Sequence, residues 1–570
     1  MQHAAFESLA AFATEDRILR LIAKERGKYT AKNGGSSNPF HSDPLYQALR
    51  SMTPPHRLWS DPGRGKLPKK ASGGIAKWTA RKKRAEVRVY QAIRKHRDRM
   101  PDAPWVLALN EFVASVREAV SGLSPLVLET PRIIPKFKEQ DPDSGDFIYR
   151  PLCKYSDLRT KVILALAYRY ILDRFDRYFH QNMLFMRSAR PNGNGAYTVP
   201  KYLDAIDLVS DYQRCNDHSD IFVGECDIQK FYDIFNHDVI VECFEQLFEE
   251  AKRRDGAQDA DFDGLRRVLC AYLDSFNYPG HVMSRNGDDD FWRAEKCRHR
   301  SSTHPQPICR FKWVAEEAFV SSGCYTEEAF RKVRDEGKLG IPQGGALSGI
   351  IVNVVMHAVD KPVVTPDDDR RLFIRYCDDI LLLHTDRNAC VGYLDCYIRQ
   401  LVAHKLVPHP MKDVSGFKSG EKTGAGFWHS KSKNVYRWGS GGGDASDWLA
   451  FVGYEMRRTG EIRIRKDKID NEFRRIAHRY YDIIFSKEVT GGEPLSEERK
   501  RELMKRMDSL SDHFLDYEKA GNNVYTRSQA RRLDKYLYRK ARQAARRIGI
   551  ADDKRAARER VTYKSKIKNL

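Results

Sequence analysis

The hydrophobic pattern of this chain changes period several times, and each change marks an element. Phe6 to Ala23 and Trp105 to Val120 carry apolar residues at helical spacing, the second after Pro104 at a helix start. Arg132-Ile133-Ile134-Pro135-Lys136 and Phe147-Ile148-Tyr149 are strand-like runs, and a helix is predicted from Asp157 through Phe175. Ile221 to Ile228 reads as a buried strand with the carboxylate of Asp227 at its end, followed by a helix from His237 to Glu250. Leu339 to Gly349 is a glycine-rich turn leading into a helix from Ile350 to Val359. In Ile374-Arg375-Tyr376-Cys377-Asp378-Asp379-Ile380-Leu381-Leu382-Leu383, two apolar runs flank a polar break, which predicts strand, tight turn, strand. Leu449 to Tyr454 reads as a strand with a turn glycine, and the chain is helical and basic from Asp470 onward.

Burying both runs of the Asp-Asp hairpin forces Asp378 and Asp379 to its turn, where two like charges are costly to hold together. A divalent cation makes them tolerable, because Mg²⁺ takes one or two carboxylates plus substrate phosphates. Asp-Asp pairs are also common on solvated turns, so the pair alone decides nothing. Asp227 supplies the third carboxylate of a candidate two-metal site, which clamps the attacking and leaving oxygens of a phosphoryl displacement. The plainer role for it is a strand-end cap. At the Leu339–Gly349 turn the glycines let backbone approach a ligand, and Gln343 offers both donor and acceptor. No Gly-Lys-Ser/Thr closes that turn, so it is not a Walker A loop. Cys297, His299, His304 and Cys309 are spaced C-x-H-x4-H-x4-C. They could hold zinc, but the spacing fits no common finger, and an ordinary insertion is the other reading.

At 570 residues the chain is too long for one ordinary core. Its formal net charge of +21 favours a polyanion as partner over mere solubility. The charge is concentrated in a belt from Lys66 to Arg99, with Trp78 and Tyr90 interleaved, and in the region beyond Arg474. A solvated helix face would also carry such a belt, but its density and aromatic residues favour nucleic acid. Eleven scattered cysteines without C-x-x-C fit reduced thiols. The start of the chain lacks a signal-peptide pattern, and no apolar run approaches the ~20 residues that span a bilayer. The expectation is a soluble, cytoplasmic protein without membrane contact.

Four motifs in order, Asp227-Ile228-Gln229-Lys230-Phe231-Tyr232-Asp233, Gly340-Ile341-Pro342-Gln343-Gly344, Tyr376-Cys377-Asp378-Asp379 and Phe451-Val452-Gly453, resemble a reverse transcriptase. The resemblance covers roughly residues 130 to 480 and points to the bacterial group II intron-like branch. It implies an α+β right-hand polymerase with fingers, palm and helical thumb, and helical basic extensions at both ends. The expected divisions are 1–125 as N-terminal extension, 126–250 as fingers and first palm, 251–338 as insertion, 339–456 as remaining palm, and 457–570 as thumb and C-terminal extension. By the resemblance, Asp227, Ile228, Asp378 and Asp379 bind two Mg²⁺ ions, with Mn²⁺ as a substitute, and Lys412 protonates departing pyrophosphate. Tyr232 is a steric gate against the 2′-hydroxyl, and Gln343 and Gly344 lie against the incoming nucleotide. Arg150 and Arg187 contact substrate, Arg150 at the triphosphate. Phe451, Gly453 and Tyr454 grip the primer. The implied partners are RNA, a DNA product and dNTPs, and a homo-oligomer is compatible with the sequence.

The chain departs from the family at Ser348-Gly349, where Ser-Pro is usual, and in the length of 251–338. No endonuclease module is recognisable. That combination most resembles the defence-associated (antiphage) reverse transcriptases acting with a noncoding RNA. A group II intron maturase, a retron enzyme and a catalytically weak RNA-binding scaffold are the alternatives.

Overall fold

The computed structural model describes residues 6–32, 43–59 and 74–465, except 142, 192–196, 296–308, 346, 366, 419, 424–425 and 428–429, with 496 and 539 as isolated positions. Cys297, His299, His304 and nearly all of the expected thumb lie outside the described residues, as does the part of the basic belt before residue 74.

The described chain is a mixed α/β structure. The expected Phe6 to Ala23 helix is broken: Leu9–Phe12 is a single turn, and α1, Glu15–Lys32, starts afresh because the Thr14 hydroxyl accepts the Arg17 N–H. It packs against α2, Gly74–His96, and near α3, Pro104–Ser121, which ends at Gly122 in the left-handed region. Strands β1, Arg132–Gln140, and β2, Phe147–Lys154, form an antiparallel ribbon. Asp157 caps α4, Leu158–Phe175, by accepting the Thr160 N–H at 2.7 Å.

The central antiparallel sheet contains β3, Phe222–Cys226; β4, Arg371–Tyr376; β5, Asp379–His384; and β6, Ser432–Trp438. Their spatial order is β6-β3-β5-β4. Helices α5, His237–Asp255, α6, Ser348–Val364, and α7, Arg387–Ala403, share a core with the face bearing Cys226, Phe373, Ile380 and Leu382. The opposite face, with Val223, Ile374, Leu381, Leu383 and Tyr436, meets a hairpin of β7, Trp448–Phe451, and β8, Tyr454–Arg457. Both faces of β5 are therefore covered, which explains its unbroken apolar run. The hairpin turn Val452-Gly453 has positive φ at both residues (43° and 91°), the geometry of a two-residue type I′ turn.

The segment 251–338, expected as an insertion, is woven into the fold. Its helix Asp263–Asp274 packs on α3, where Arg267 Nη2 donates to the Val120 carbonyl at 2.9 Å. Its strand Cys309–Phe311 adds a third, parallel strand beside β2.

Gly340 is where this segment meets the central domain. It has φ +89°, and a Cβ there would lie 2.6 Å from Tyr278 Cβ and 3.1 Å from the Asp233 carbonyl. Gly340→Ala adds left-handed strain to overpacking and is expected to cost about 2–4 kcal/mol in urea unfolding; unchanged stability would contradict the packing described.

Candidate metal and nucleotide site

Residues Tyr376 and Asp379 pair across the β4–β5 hairpin, leaving Cys377-Asp378 as a two-residue turn. Cys377 has φ +62° although it is not glycine, a conformation that costs about 1–3 kcal/mol and persists where surroundings impose it. Asp379 begins β5 and is exposed, and Asp378 is half-buried at the turn. Beside them β3 ends at Cys226, and Asp227 follows with 4% exposure. Carboxylate oxygens of Asp227, Asp378 and Asp379 all lie within 4.8 Å of one another, the one such metal-competent cluster found among the described residues.

Asp227 is held from several sides. Its N–H donates to Ser432 Oγ at 3.0 Å, its Oδ1 accepts the Ile228 N–H at 2.9 Å, and its carbonyl accepts the His409 N–H at 2.8 Å. Its Oδ2 accepts from Lys431 Nζ, and His409 Nε2 stands 3.9 Å from the same oxygen. Burial, and then the charge of Asp227, push the Asp378 carboxyl above its ordinary range. Burial opposes the Lys431 charge, but Asp227, Asp378 and Asp379 together hold the ammonium above its usual pKa. This donor set suits a hard divalent cation: all oxygen, clustered, and mutually repelling. Ile228, with a buried apolar side chain, could offer only its backbone carbonyl.

The glycine-rich turn joins this centre through Tyr232. The Ile341 N–H donates to the Tyr232 carbonyl at 2.9 Å, and the half-buried Tyr232 hydroxyl lies 3.7 Å from Cys377 Sγ. Tyr232 thus sits between the Asp227 strand end and the catalytic-type turn, not deep in the core. Gln343 is half-buried, and its carbonyl accepts the Cys153 N–H of β2 at 2.8 Å. Gly344, at φ +92°, is exposed beside it. Arg150 is exposed on β2 opposite Lys136. Phe451 and Tyr454 close the β7–β8 turn, and both rings are buried in the core under the central sheet.

One expectation changes. Arg187 cannot serve the substrate: it is 3% exposed, and its guanidinium is consumed internally. Nε donates to Asp176 Oδ1 (2.6 Å), Nη1 to the carbonyls of His180 (2.8 Å) and Met183 (2.6 Å), and Nη2 to those of Asp176 (2.8 Å) and Phe179 (3.2 Å). Five donors meet five acceptors, leaving none for a phosphate. Lys412 is exposed on a short strand beside β6 and makes no ion pair with the three carboxylates. Among the described residues the ammonium that reaches them is Lys431, which sequence reasoning missed: it directly precedes β6, in Lys431-Ser432-Lys433, and nothing in that stretch singles it out.

Lys230 and Asp233 were also missed as site neighbours. Lys230 has φ +48°, and burial pulls its pKa down to about 8 despite Asp233. Burial pushes the Asp233 carboxyl up to about 7, against the attraction of Lys230 and Arg150. The folded state therefore holds a proton on Asp233 between about pH 4 and 7 that the unfolded chain has released, and stability falls as pH rises through that window. Asp233→Asn removes the penalty. Urea unfolding should find it more stable than wild type at pH 8, by at most about 4 kcal/mol, with a smaller gain at pH 5. A loss of stability at pH 8 would contradict the assignment.

No protein-family model matches this chain, and no curated protein matches it. Among solved structures, apo telomerase from Candida tropicalis aligns over 88% of this chain and 80% of its own, at 12% identity and a TM-score of 0.33. Telomerase from Candida albicans in complex with a TWJ fragment of telomeric RNA aligns over 89% of this chain and 74% of its own, at 12% identity and a TM-score of 0.30. At such identities and TM-scores the similarity carries no argument about what this chain does.

Proposed function

We propose that the chain is an RNA-directed DNA polymerase of right-hand architecture that adds deoxynucleotides to a primer. The observation that carries this reading is the convergence of Asp227, Asp378 and Asp379 within 4.8 Å, at a strand end and an adjoining strained hairpin turn. Two Mg²⁺ ions bound there would neutralise the attacking and leaving oxygens of a phosphoryl displacement.

The chain's own residues then take distinct roles. Asp227 and Asp378 hold the metal-binding oxygens in place, and Asp379 supports them. Lys431, freed from Asp227, is the ammonium positioned to meet the departing pyrophosphate, a role expected from the sequence at Lys412. Arg150, exposed and in no ion pair among the described residues, suits triphosphate oxygens. The Tyr232 ring, beside the turn, screens C2′ of the nucleotide sugar, and Gln343 and Gly344 line the nucleotide's other side. The Phe451–Tyr454 turn steadies the primer end. RNA is the proposed template, held by the basic surfaces. A role in antiphage defence with a noncoding RNA rests on the sequence resemblance alone.

Primer extension on an RNA template with purified protein, Mg²⁺ and labelled nucleotides tests the reading. Asp378→Asn should reduce incorporation more than about a thousandfold, the loss of roughly 4 kcal/mol of charge stabilisation, while RNA binding persists. Wild-type synthesis by that variant would sink the assignment.

The same assay examines sugar choice. Tyr232→Ala should admit ribonucleotides while retaining some deoxynucleotide addition. If Tyr232 serves only packing, the truncation instead costs on the order of 3–5 kcal/mol of stability and leaves the ratio of sugars unchanged.

A further inference from the structure

Behind the hairpin turn lies a buried polar cluster that the proposed chemistry does not use. Arg375 of β4, Asp360 of α6 and Asn353 of α6 are each 0% exposed. Arg375 Nε donates to Asp360 Oδ2 at 2.6 Å. Its Nη1 donates to Asn353 Oδ1 at 3.3 Å and to the carbonyl of Cys377 at 3.1 Å. Asn353 Nδ2 in turn donates to the carbonyls of Phe185 (2.7 Å) and Met186 (3.2 Å). The backbone of Arg375 is clamped too: its N–H donates to the Asn182 carbonyl at 3.1 Å and its carbonyl accepts the Leu184 N–H at 3.0 Å.

As a source of stability the cluster is poorly made. Arg375 Nη2 and Asp360 Oδ1 are buried without hydrogen-bond partners among the described residues, and each such group carries a desolvation penalty. A well-packed apolar pair of similar volume would stabilise this position as well or better than a buried ion pair. What an apolar pair could not do is grip the Cys377 carbonyl. That carbonyl belongs to the strained residue of the turn, and the peptide it begins leads directly into Asp378. Met186, on the far side of the cluster, has φ +50° as well, so the same network holds two strained non-glycine residues.

We infer that Arg375, fixed by Asp360 and Asn353, is a positioning residue that holds the Cys377-Asp378 turn in the conformation in which Asp378 and Asp227 can bind a divalent cation together. The inference rests on the metal-site reading of the preceding section. Arg375 touches neither metal nor substrate; it acts through the backbone of Cys377. The turn residue Asp378 is thereby coupled to α6, and through Asn353 to the segment that Arg187 braces.

The test separates positioning from stability by replacing the pair with apolar residues of similar size, Arg375→Met with Asp360→Leu, in the full chain. Thermal unfolding in EDTA and Mn²⁺ binding followed by electron paramagnetic resonance are measured on wild type, the double variant and Asp378→Asn. The inference expects a melting temperature of the double variant at or above that of wild type, with Mn²⁺ affinity weakened at least tenfold. Affinity within twofold of wild type in the folded double variant would overturn it. Should the double variant fail to fold, Arg375→Lys takes its place: it keeps the charge facing Asp360 but lacks the fork that reaches Cys377, so it should fold and show the same weakening, and unaltered binding would again overturn the inference. Wild-type Mn²⁺ binding equal to that of Asp378→Asn would instead bring down the metal-site reading itself, and this inference with it.

Discussion

Three carboxylates within 4.8 Å of one another cannot all stay ionised in a partly buried site unless positive charge stands among them. The fold brings that charge as Lys431, whose ammonium lies on Asp227, while burial, and then the charge of Asp227, hold the carboxyl of Asp378 above its ordinary pKa. Much of the surrounding structure serves to impose this crowding. β3 delivers Asp227, the β4–β5 turn delivers Asp378 and Asp379, and β3 pairs with β5 from Phe222↔His384 to Cys226↔Ile380, so that strand end and turn meet at one edge of the sheet.

The crowding is sustained by packing on both faces of the sheet. Helices α5, α6 and α7 cover one side and the β7–β8 hairpin covers the other, so the strands cannot shift register without exposing an apolar face. A second buried pair lies two residues from the first along the same strands: Glu225 with Lys433 at 2.7 Å and with the Tyr436 hydroxyl. Two acids on the β3 side, Glu225 and Asp227, thus face two lysines on the β6 side, Lys433 and Lys431, and under the proposed function a cation would replace the lysine at the Asp227–Lys431 pair.

Much of this was legible in the chain itself. The Asp-Asp hairpin could be read because both apolar runs flank a polar break, and the structure has strands at Arg371–Tyr376 and Asp379–His384. The Leu339–Gly349 turn showed in its glycines, and Gly340 does occupy the left-handed region. What could not be read depends on how the chain folds around single residues, near and far in sequence. Lys431 sits in a polar Ser-Lys-Ser-Lys stretch with nothing to single it out, and its partner is 204 residues away. Arg187 looked available because arginine usually is; only the loop folded around it shows every donor consumed. The strand Cys309–Phe311 is too short to announce itself, and it pairs with β2 across more than 150 residues. The break near Thr14 was hidden because helical apolar spacing continues across it, while a local hydroxyl cap restarts the helix.

The central claim is that the carboxylate cluster is a two-cation site. Anomalous scattering from crystals soaked in Mn²⁺ with a nonhydrolysable deoxynucleoside triphosphate tests it most directly. The account predicts two peaks among the oxygens of Asp227, Asp378 and Asp379, with Lys431 displaced from Asp227 toward the phosphates. Crystals with ordered nucleotide, no anomalous peak at the cluster, and Lys431 still on Asp227 would contradict it.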